Sequence, residues 1–372
     1  MNIALYWNFA IIPVDYMIIY LFYFSFTFTV SIIVTFFVAM IMRKLGIVDK
    51  AGKEKRKIHK KTIALGGGLV IFFSFFLSVL LTWFFTDNFT YEIVGRNLLG
   101  LFFGSLILVI GGILDDKYIL RPKLQIAFPI LATLIIILAG IGPHIISNPF
   151  GGIVRLDFWQ VNFGSLGNFV VIADLLVFFW LMGMMFTTKF LDGLDGLVSG
   201  IVSIGALVLF FFSLQSQWYQ PDVAMLSIIL AGATLGFLVW NWFPAKIFLG
   251  EGGSLLTGFL LGSLAIISGG KIAITLLVMA VPILDVARVI IRRIKNKKPV
   301  YVGDNEHLHF RLLETGLSQK QAVLLLYSIS FLFGLSALFL QSKQKLFALI
   351  FLFVVMLLLG IWFSKKKSGM TK

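Results

Sequence analysis

Residues 97–116, NLLGLFFGSLILVIGGILDD, run from Asn97 to Leu114 without a charge and then end on two aspartates, Asp115 and Asp116. An uncharged run of about 18 residues is long enough to cross a hydrocarbon core of about 30 Å. Carboxylates at bilayer depth are costly and mark a reaction centre or an ion path. The same pattern returns at KFLDGLDGLVSG, residues 189–200, where Asp192 and Asp195 follow a second apolar run. Where these four aspartates lie relative to the membrane therefore decides what the chain can be.

The rest of the chain repeats the theme. Of 372 residues, 59% are hydrophobic and 13% charged, against about a quarter charged in soluble domains. Eleven spans are expected near 16–42, 65–86, 97–114, 125–141, 169–188, 194–214, 222–240, 253–268, 271–294, 322–341 and 345–364. The expected fold is an all-α polytopic membrane protein, one integral membrane domain over 1–372 with a basic tail at 365–372. The first run has no basic residue before Arg43 and no small-residue cleavage site, so it reads as a retained helix. Cysteine is absent, which excludes disulfides and thiol chemistry.

Lysine and arginine placement sets the orientation. Arg43 to Lys61, Lys117 to Lys123, Lys189, Lys246, Arg292 to Lys320 and Lys365 to Lys367 alternate with loops holding only Arg96, Arg155, Lys271, Lys343 and Lys345. The basic set is expected to be cytoplasmic, with the N-terminus outside and the C-terminus inside. The net charge of +14 is then explained by membrane-side loops and calls for no nucleic-acid partner. This threading brings Asp115/Asp116, Asp192/Asp195, NWFPAKIFLGEGGS and DNEHLHFRLLETG to one face. On the opposite face, 142–168 reads as a small external β-hairpin.

Each motif also has a bland reading. Asp192 and Asp195, three apart, share a face if their segment is helical, and like charges so placed call for a cation, a proton or a lysine; otherwise they cap a helix end. Asp115 and Asp116 point about 100° apart, so at most one faces a shared cation. The turn Gly250-Glu251-Gly252-Gly253-Ser254 can aim N–H groups at phosphate, with Glu251 as an oxygen ligand for Mg2+. His307 and His309 face one side if extended, suiting phosphate or proton transfer, or else belong to a solvated loop. The lack of cysteine and of a third nearby histidine argues against zinc. The basic loop around His59 binds anionic headgroups in any case.

Taken in order, GIVDKAGKEKRKIHKKTIALGGGLVIF, GGILDDKYIL, FLDGLDGLVSG, FPAKIFLGEGGS, PILDVARVIIRRI and HLHFRLLETGLS resemble the polyprenyl-phosphate N-acetylhexosamine-1-phosphate transferases, over about residues 45–330. The resemblance implies transfer of a sugar-1-phosphate from a UDP-sugar to polyprenyl (undecaprenyl) phosphate, releasing UMP, in a bacterial-type cytoplasmic membrane with the site on the cytoplasmic face. It implies Mg2+, with Mn2+ as the alternative ion, and a homodimer by family analogy. It assigns Asp115 and Asp116 to the acceptor phosphate, Asp192 and Asp195 to the nucleotide sugar, and His307, His309 and Arg311 to the diphosphate or sugar. Glu251, Asp192 and Asp195 are the implied metal ligands. Lys123, Lys189, Lys246, Gly250, Gly252 and Ser254 are the implied further substrate contacts.

The histidine segment is more like the HxHH-R pattern of the GlcNAc-type branch than the pattern of the phospho-MurNAc-pentapeptide branch, which is the alternative. Three positions depart from the family pattern. Glu251 stands for the usual Asp, Lys189 for an Asn, and Phe310 for a third histidine. The Glu251 and Lys189 departures keep alive a non-catalytic homologue that binds or moves lipid-linked sugars. A transporter with Asp-lined coupling sites predicts midplane acids, and an intramembrane aspartyl protease predicts aspartates on facing helices. The clustering of the acids at one face fits neither.

Overall fold

The computed structural model describes residues 14–50, 52, 61–85, 95–143, 145–148, 150–162, 168–269, 271–297 and 306–369. Its helices are α1 (Val14–Lys44), α2 (Gly67–Phe85), α3 (Gly95–Tyr118), α4 (Pro122–Leu138), α5 (Val171–Leu191), α6 (Leu197–Ser213), α7 (Pro221–Asn241), α8 (Gly250–Ile267), α9 (Ile272–Val278), α10 (Ala280–Lys295), α11 (Leu308–Glu314), α12 (Gln319–Phe339) and α13 (Ser342–Gly369). All eleven expected spans fall on helices. Among the described residues, seven helices are long and apolar enough to cross a membrane, while α4 and α6 are shorter apolar helices. The chain is a multi-pass, predominantly helical membrane protein. The expected span 271–294 is not one straight helix: α9 and α10 meet at a bend of 78°.

Burial separates the centre of the bundle from its lipid-facing rim. In α8, 89% of the apolar window is buried inside the protein, against 28% in α1. The lipid-facing helices need no polar exterior, so their outer residues are as apolar as their inner ones. Small residues let the helix backbones approach, as association without a hydrophobic driving force requires. Gly232 and Gly236 of α7 lie against α1, where a Cβ on Gly236 would come 2.5 Å from the Phe28 carbonyl oxygen. Buried hydroxyls add cross-links: Thr27 donates to Ser78 at 2.7 Å, and Ser203 to Thr234 at 2.7 Å.

Two features at the helix ends matter for the site. Strands β1 (Val48–Asp49), β2 (Ile63–Leu65) and β7 (Ile247–Phe248) form a sheet in the order β1-β2-β7, with β2 and β7 parallel in the register Ala64↔Ile247. The sheet ties the start of α2 to the start of α8, and the Gly68 N–H donates to Leu249 O at 3.1 Å. The 142–168 connection holds two antiparallel pairs rather than one hairpin: β3 (Ile145–Ser147) with β4 (Ile153–Arg155), and β5 (Gln160–Asn162) with β6 (Asn168–Val170).

Candidate active site

The site begins where α3 crosses α8. A Cβ on Gly112 would overlap the backbone N and Cα of Gly252, so the two helices touch main chain to main chain. Asp116 lies four residues beyond Gly112, on the same helix face. There its Oδ1 accepts the Glu251 N–H at 3.1 Å, capping the first turn of α8. Gly250 has φ 72, and any side chain on it would strike Asp116 Oδ2. Of the N–H groups that the glycine-rich turn was expected to offer to phosphate, that of Glu251 is therefore taken. Asp115 turns elsewhere. Its Oδ1 accepts from Leu120 N at 2.7 Å and Gln125 Nε2 at 3.1 Å, fastening the end of α3 to the start of α4. The two neighbours diverge as helix geometry requires.

The Asp192–Gly196 segment is a turn and not a helix, which corrects the shared-face reading. α5 stops at Leu191, Asp192 is its C-cap with φ −75 and ψ 56, and Gly196 opens α6 with φ 79. Asp195 Oδ2 accepts the Ala245 N–H at 2.9 Å. Asn241 reinforces the same junction. Its Oδ1 accepts from Gly196 N at 3.1 Å and from Ser199 Oγ at 2.8 Å, while its Nδ2 donates to Ile247 O at 2.9 Å. From α12, Tyr327 donates its hydroxyl to Gly196 O. Lys189, on the last turn of α5, forms an ion pair with Glu251 Oε1. The protein around Asp192, and then Glu251, Asp116 and Asp195, push its carboxyl above the usual range. Solvent reaches the Asp192 side chain, which limits that rise.

The histidine segment closes the site from α11. His307 is the N-cap of α11, and its Nδ1 lies 2.9 Å from Asp285 Oδ2, which also accepts the Leu308 N–H at 3.0 Å. Arg288 Nη2 donates to Asp285 Oδ1 and to Glu306 O, both at 2.7 Å. His307 itself is extended (φ −64, ψ 150) and the helix begins at Leu308, and the His307 and His309 rings stack, with centroids 5.7 Å apart and planes 5° apart. Phe190 covers the His307 ring at 5.9 Å. His307, His309 and Arg311 are 5%, 1% and 5% exposed, which rules out the solvated loop. Burial, with His307 beside it, pushes the His309 imidazole down to about 3. Its Nε2 has no hydrogen-bond partner among the described residues and lies over Gly193, where a Cβ would overlap it. Arg311 donates to Glu314 at 3.1 Å.

Asp116, Lys189, Asp192, Asp195, Glu251, His307 and His309 thus lie at one end of the bundle, linked by contacts that run through Gly193, Phe190 and Ala245. Other expected residues stand apart. Lys123 and Lys246 are exposed, and Lys246 Nζ sits 4.9 Å over the Trp240 ring. Ser254 is buried and donates back to Glu251 O at 3.0 Å, and Gly252 serves the helix crossing. Most of the basic loop, including His59, lies outside the described residues. Among the described residues, no three Asp, Glu or His side chains converge closely enough to hold a metal unaided. Sequence reasoning did not single out Asn241, Asp285, Arg288 or Tyr327. Asn241, Asp285 and Arg288 lie inside quoted motifs, but nothing in their spacing marks them.

The family model of glycosyl transferase family 4 matches residues 98–269, the stretch that carries both aspartate pairs and Glu251. A Bacillus subtilis protein named as a probable undecaprenyl-phosphate N-acetylglucosaminyl 1-phosphate transferase is 32% identical over 340 residues, 89% of this chain and 87% of that protein. The chain belongs to glycosyl transferase family 4. A decaprenyl-phosphate N-acetylglucosaminephosphotransferase of Mycolicibacterium smegmatis is 31% identical over 325 residues, 79% of this chain and 76% of the relative. A phospho-N-acetylmuramoyl-pentapeptide-transferase of Bacillus licheniformis is 27% identical over 330 residues, 84% of this chain and 95% of the relative. For a member of glycosyl transferase family 4, Lys189 and Glu251 are the two site residues that most need a physical account, because they hold each other.

Proposed function

We propose that the chain transfers N-acetylglucosamine-1-phosphate from a UDP-sugar to a polyprenyl phosphate, giving polyprenyl-diphosphate-sugar and UMP at the cytoplasmic face of the membrane. The observation that carries the reading is the meeting of Asp116, Glu251 and Lys189, from three helices, beside the Asp192 turn and the paired histidines. Two relatives named for N-acetylglucosamine transfer match at 32% and 31% identity, against 27% and 28% for two named for the pentapeptide substrate. That supports a UDP-N-acetylhexosamine donor.

In this reaction an oxygen of the lipid phosphate forms a bond to the β-phosphorus of the UDP-sugar. The bond from that phosphorus to the bridging oxygen breaks, and UMP leaves with the electron pair. A phosphate monoester has its second pKa near 6, so the attacking group is already largely ionised at neutral pH. The protein's task is then to position the reactants and stabilise charge rather than to abstract a proton. Arg311 and the histidine pair are suited to the diphosphate or the sugar, and Asp285 fixes the tautomer and orientation of His307.

The donor set fits Mg2+. Asp116, Asp192, Asp195 and Glu251 offer only hard oxygens, with the Lys189 ammonium paired among them. Mg2+ is typically held by one or two carboxylates together with substrate phosphates rather than by a complete protein cage. The absence of a three-ligand cluster among the described residues is compatible with that mode. Asp192 and Glu251, with Asp116 or Asp195 adjoining, would hold the ion. Bound there, it would neutralise the diphosphate and polarise its phosphoryl oxygens.

The test is release of UMP by purified protein given polyprenyl phosphate, Mg2+ and a panel of UDP-sugars. UMP from UDP-N-acetylhexosamines and none from UDP-MurNAc-pentapeptide is expected. No UMP from any donor, with the protein folded, would sink the transferase reading.

A further inference from the structure

The carboxylate cluster already contains a cation. Lys189 reaches from the last turn of α5 to Glu251 Oε1 on the first turn of α8, and the two side chains are 19% and 22% exposed. Its ammonium also lies 5.8 Å from the centre of the Phe186 ring, one turn back along the same helix. Glu251 is itself fixed, because its backbone N–H is bonded to Asp116. Lys189 is three residues from Asp192, the C-cap of α5. One lysine therefore neutralises the carboxylate that stands between Asp116 and the Asp192 turn.

We propose that Lys189 is an internal counter-ion which occupies Glu251 until a diphosphate arrives, so that divalent-cation binding and nucleotide binding are coupled. The inference rests on the reading of the site as one that handles a nucleotide diphosphate. An ammonium and a divalent cation compete for the same carboxylate oxygen, so Lys189 weakens cation binding to the free protein. A lysine is a point charge on a flexible stem, and side-chain rotation alone can redirect it. A diphosphate carries more negative charge than one carboxylate and accepts charge-assisted hydrogen bonds from an ammonium. Its arrival draws Lys189 off Glu251, and the carboxylate is released to the cation. By linkage the cation and the nucleotide must each strengthen the other by the same factor.

The experiment measures Mn2+ binding to the full-length protein in detergent by the loss of the free Mn2+ paramagnetic resonance signal, with and without UDP. UDP carries the diphosphate but has no sugar to transfer, so the readout is independent of turnover. The wild-type protein is expected to bind Mn2+ at least about tenfold more tightly with UDP present, after correction for Mn2+ bound by UDP alone. Lys189→Gln is expected to bind Mn2+ at least about tenfold more tightly than wild type without UDP, and to gain less than about threefold from UDP. Lys189→Arg, which keeps the charge and can grip Glu251 with two N–H groups, is expected to bind Mn2+ without UDP no more tightly than wild type. Equal Mn2+ affinity of wild type and Lys189→Gln without UDP would overturn the proposal. So would tight Mn2+ binding by the wild type that UDP leaves unchanged, a result that requires no variant to fold. If linkage holds but no donor yields UMP, the transferase reading falls and the counter-ion assignment stands. If UMP is released and linkage is absent, the reverse follows.

Discussion

Asn241 accepts the Gly196 N–H on its Oδ1 at 3.1 Å, and the same side chain donates to Ile247 O at 2.9 Å. One amide thus fixes the turn that carries Asp192 and Asp195 to the strand that leads into Glu251. Asn241 is 3% exposed, so removing it strands the Gly196 N–H and the Ile247 carbonyl in a dry interior, at about 1–3 kcal/mol for each group. Asn241→Ala is expected to lower the unfolding temperature in detergent and to cut UMP release at least about tenfold. Asn241→Asp keeps the acceptor and loses the donor, and is expected to fall between the two. An Asn241→Ala protein with wild-type turnover would show that the junction is not what aligns the carboxylates.

Gly193 is the contact between the aspartate turn and the histidine pair. A Cβ there would overlap His309 Nε2, and that ring is stacked against His307 and cannot simply swing away. Gly193→Ala is expected to displace His309 and to reduce turnover at least about tenfold, with a modest change in unfolding temperature. Gly183, on the same α5 helix, faces open space, and a Cβ added there would meet no atom within 4 Å. Gly183→Ala is the control, expected to leave turnover unchanged and to stabilise the helix slightly.

Asp285 touches neither nucleotide nor lipid in the proposed reaction, and it acts through His307. Its Oδ2 holds His307 Nδ1 and the Leu308 N–H together, while Arg288 holds its other oxygen. Asp285→Asn keeps the size and removes the charge. The expected result is a fall in kcat of about tenfold or more, with KM for the UDP-sugar little changed and a shifted pH profile. A loss confined to KM would place Asp285 in binding instead.

The parts of this molecule that were legible in the sequence are those written in contiguous residues. Spans such as 97–114 declare themselves by length and apolarity, and α1 to α8 begin and end within a few residues of the expected positions. The bend between α9 and α10 does carry a local signal, Pro282, which has no N–H to offer the Val278 carbonyl, but it sits inside the apolar run 272–284 and is masked by it. Strands β2 and β7 contain three and two residues, too few for any alternation to show. The common face of the site followed from lysine and arginine placement, but the partners did not. Nothing local in KFLDGLDG says that Lys189 meets Glu251 from another helix, or that Asp115 serves the α3–α4 corner. Asn241, Asp285 and Tyr327 work through contacts distant in sequence, and such residues are silent until the helices are packed.

Acid should destabilise the protein through His309. Its imidazole is pushed from an ordinary value of 6.5 down to about 3 by burial and by His307, with Asp285 opposing. A base with a lowered folded pKa favours its neutral form in the fold. The contribution is therefore complete above about pH 6.5 and is lost as pH falls toward the folded value. At pH 5 the loss from this group is about 2 kcal/mol, at about 1.4 kcal/mol per pH unit. The unfolding temperature is expected to fall between pH 7 and pH 5, and to fall less steeply in His309→Gln. Equal slopes in the two proteins would remove His309 as the cause.

The crossing of α3 and α8 brings Asp116 to Glu251, because Asp116 follows Gly112 by one helical turn and Glu251 directly precedes Gly252. Two adjacent glycines of α3 test this. A Cβ on Gly111 would overlap Phe128 at Cγ, so the Phe128 side chain on the partly exposed α4 must change its χ1 rotamer, while the main chain of α4 is not itself struck. A Cβ on Gly112 would meet the main chain of Gly252, which can yield only if the helices separate. Overpacking against a side chain costs about 1–3 kcal/mol, whereas backbone overlap displaces an element. Gly111→Ala is expected to yield folded, active protein with a lower unfolding temperature. Gly112→Ala is expected either to lose the monodisperse peak in size-exclusion chromatography or to fold with UMP release at least about a hundredfold down. Similar behaviour of the two variants would mean that the close approach at Gly252 does not position Asp116.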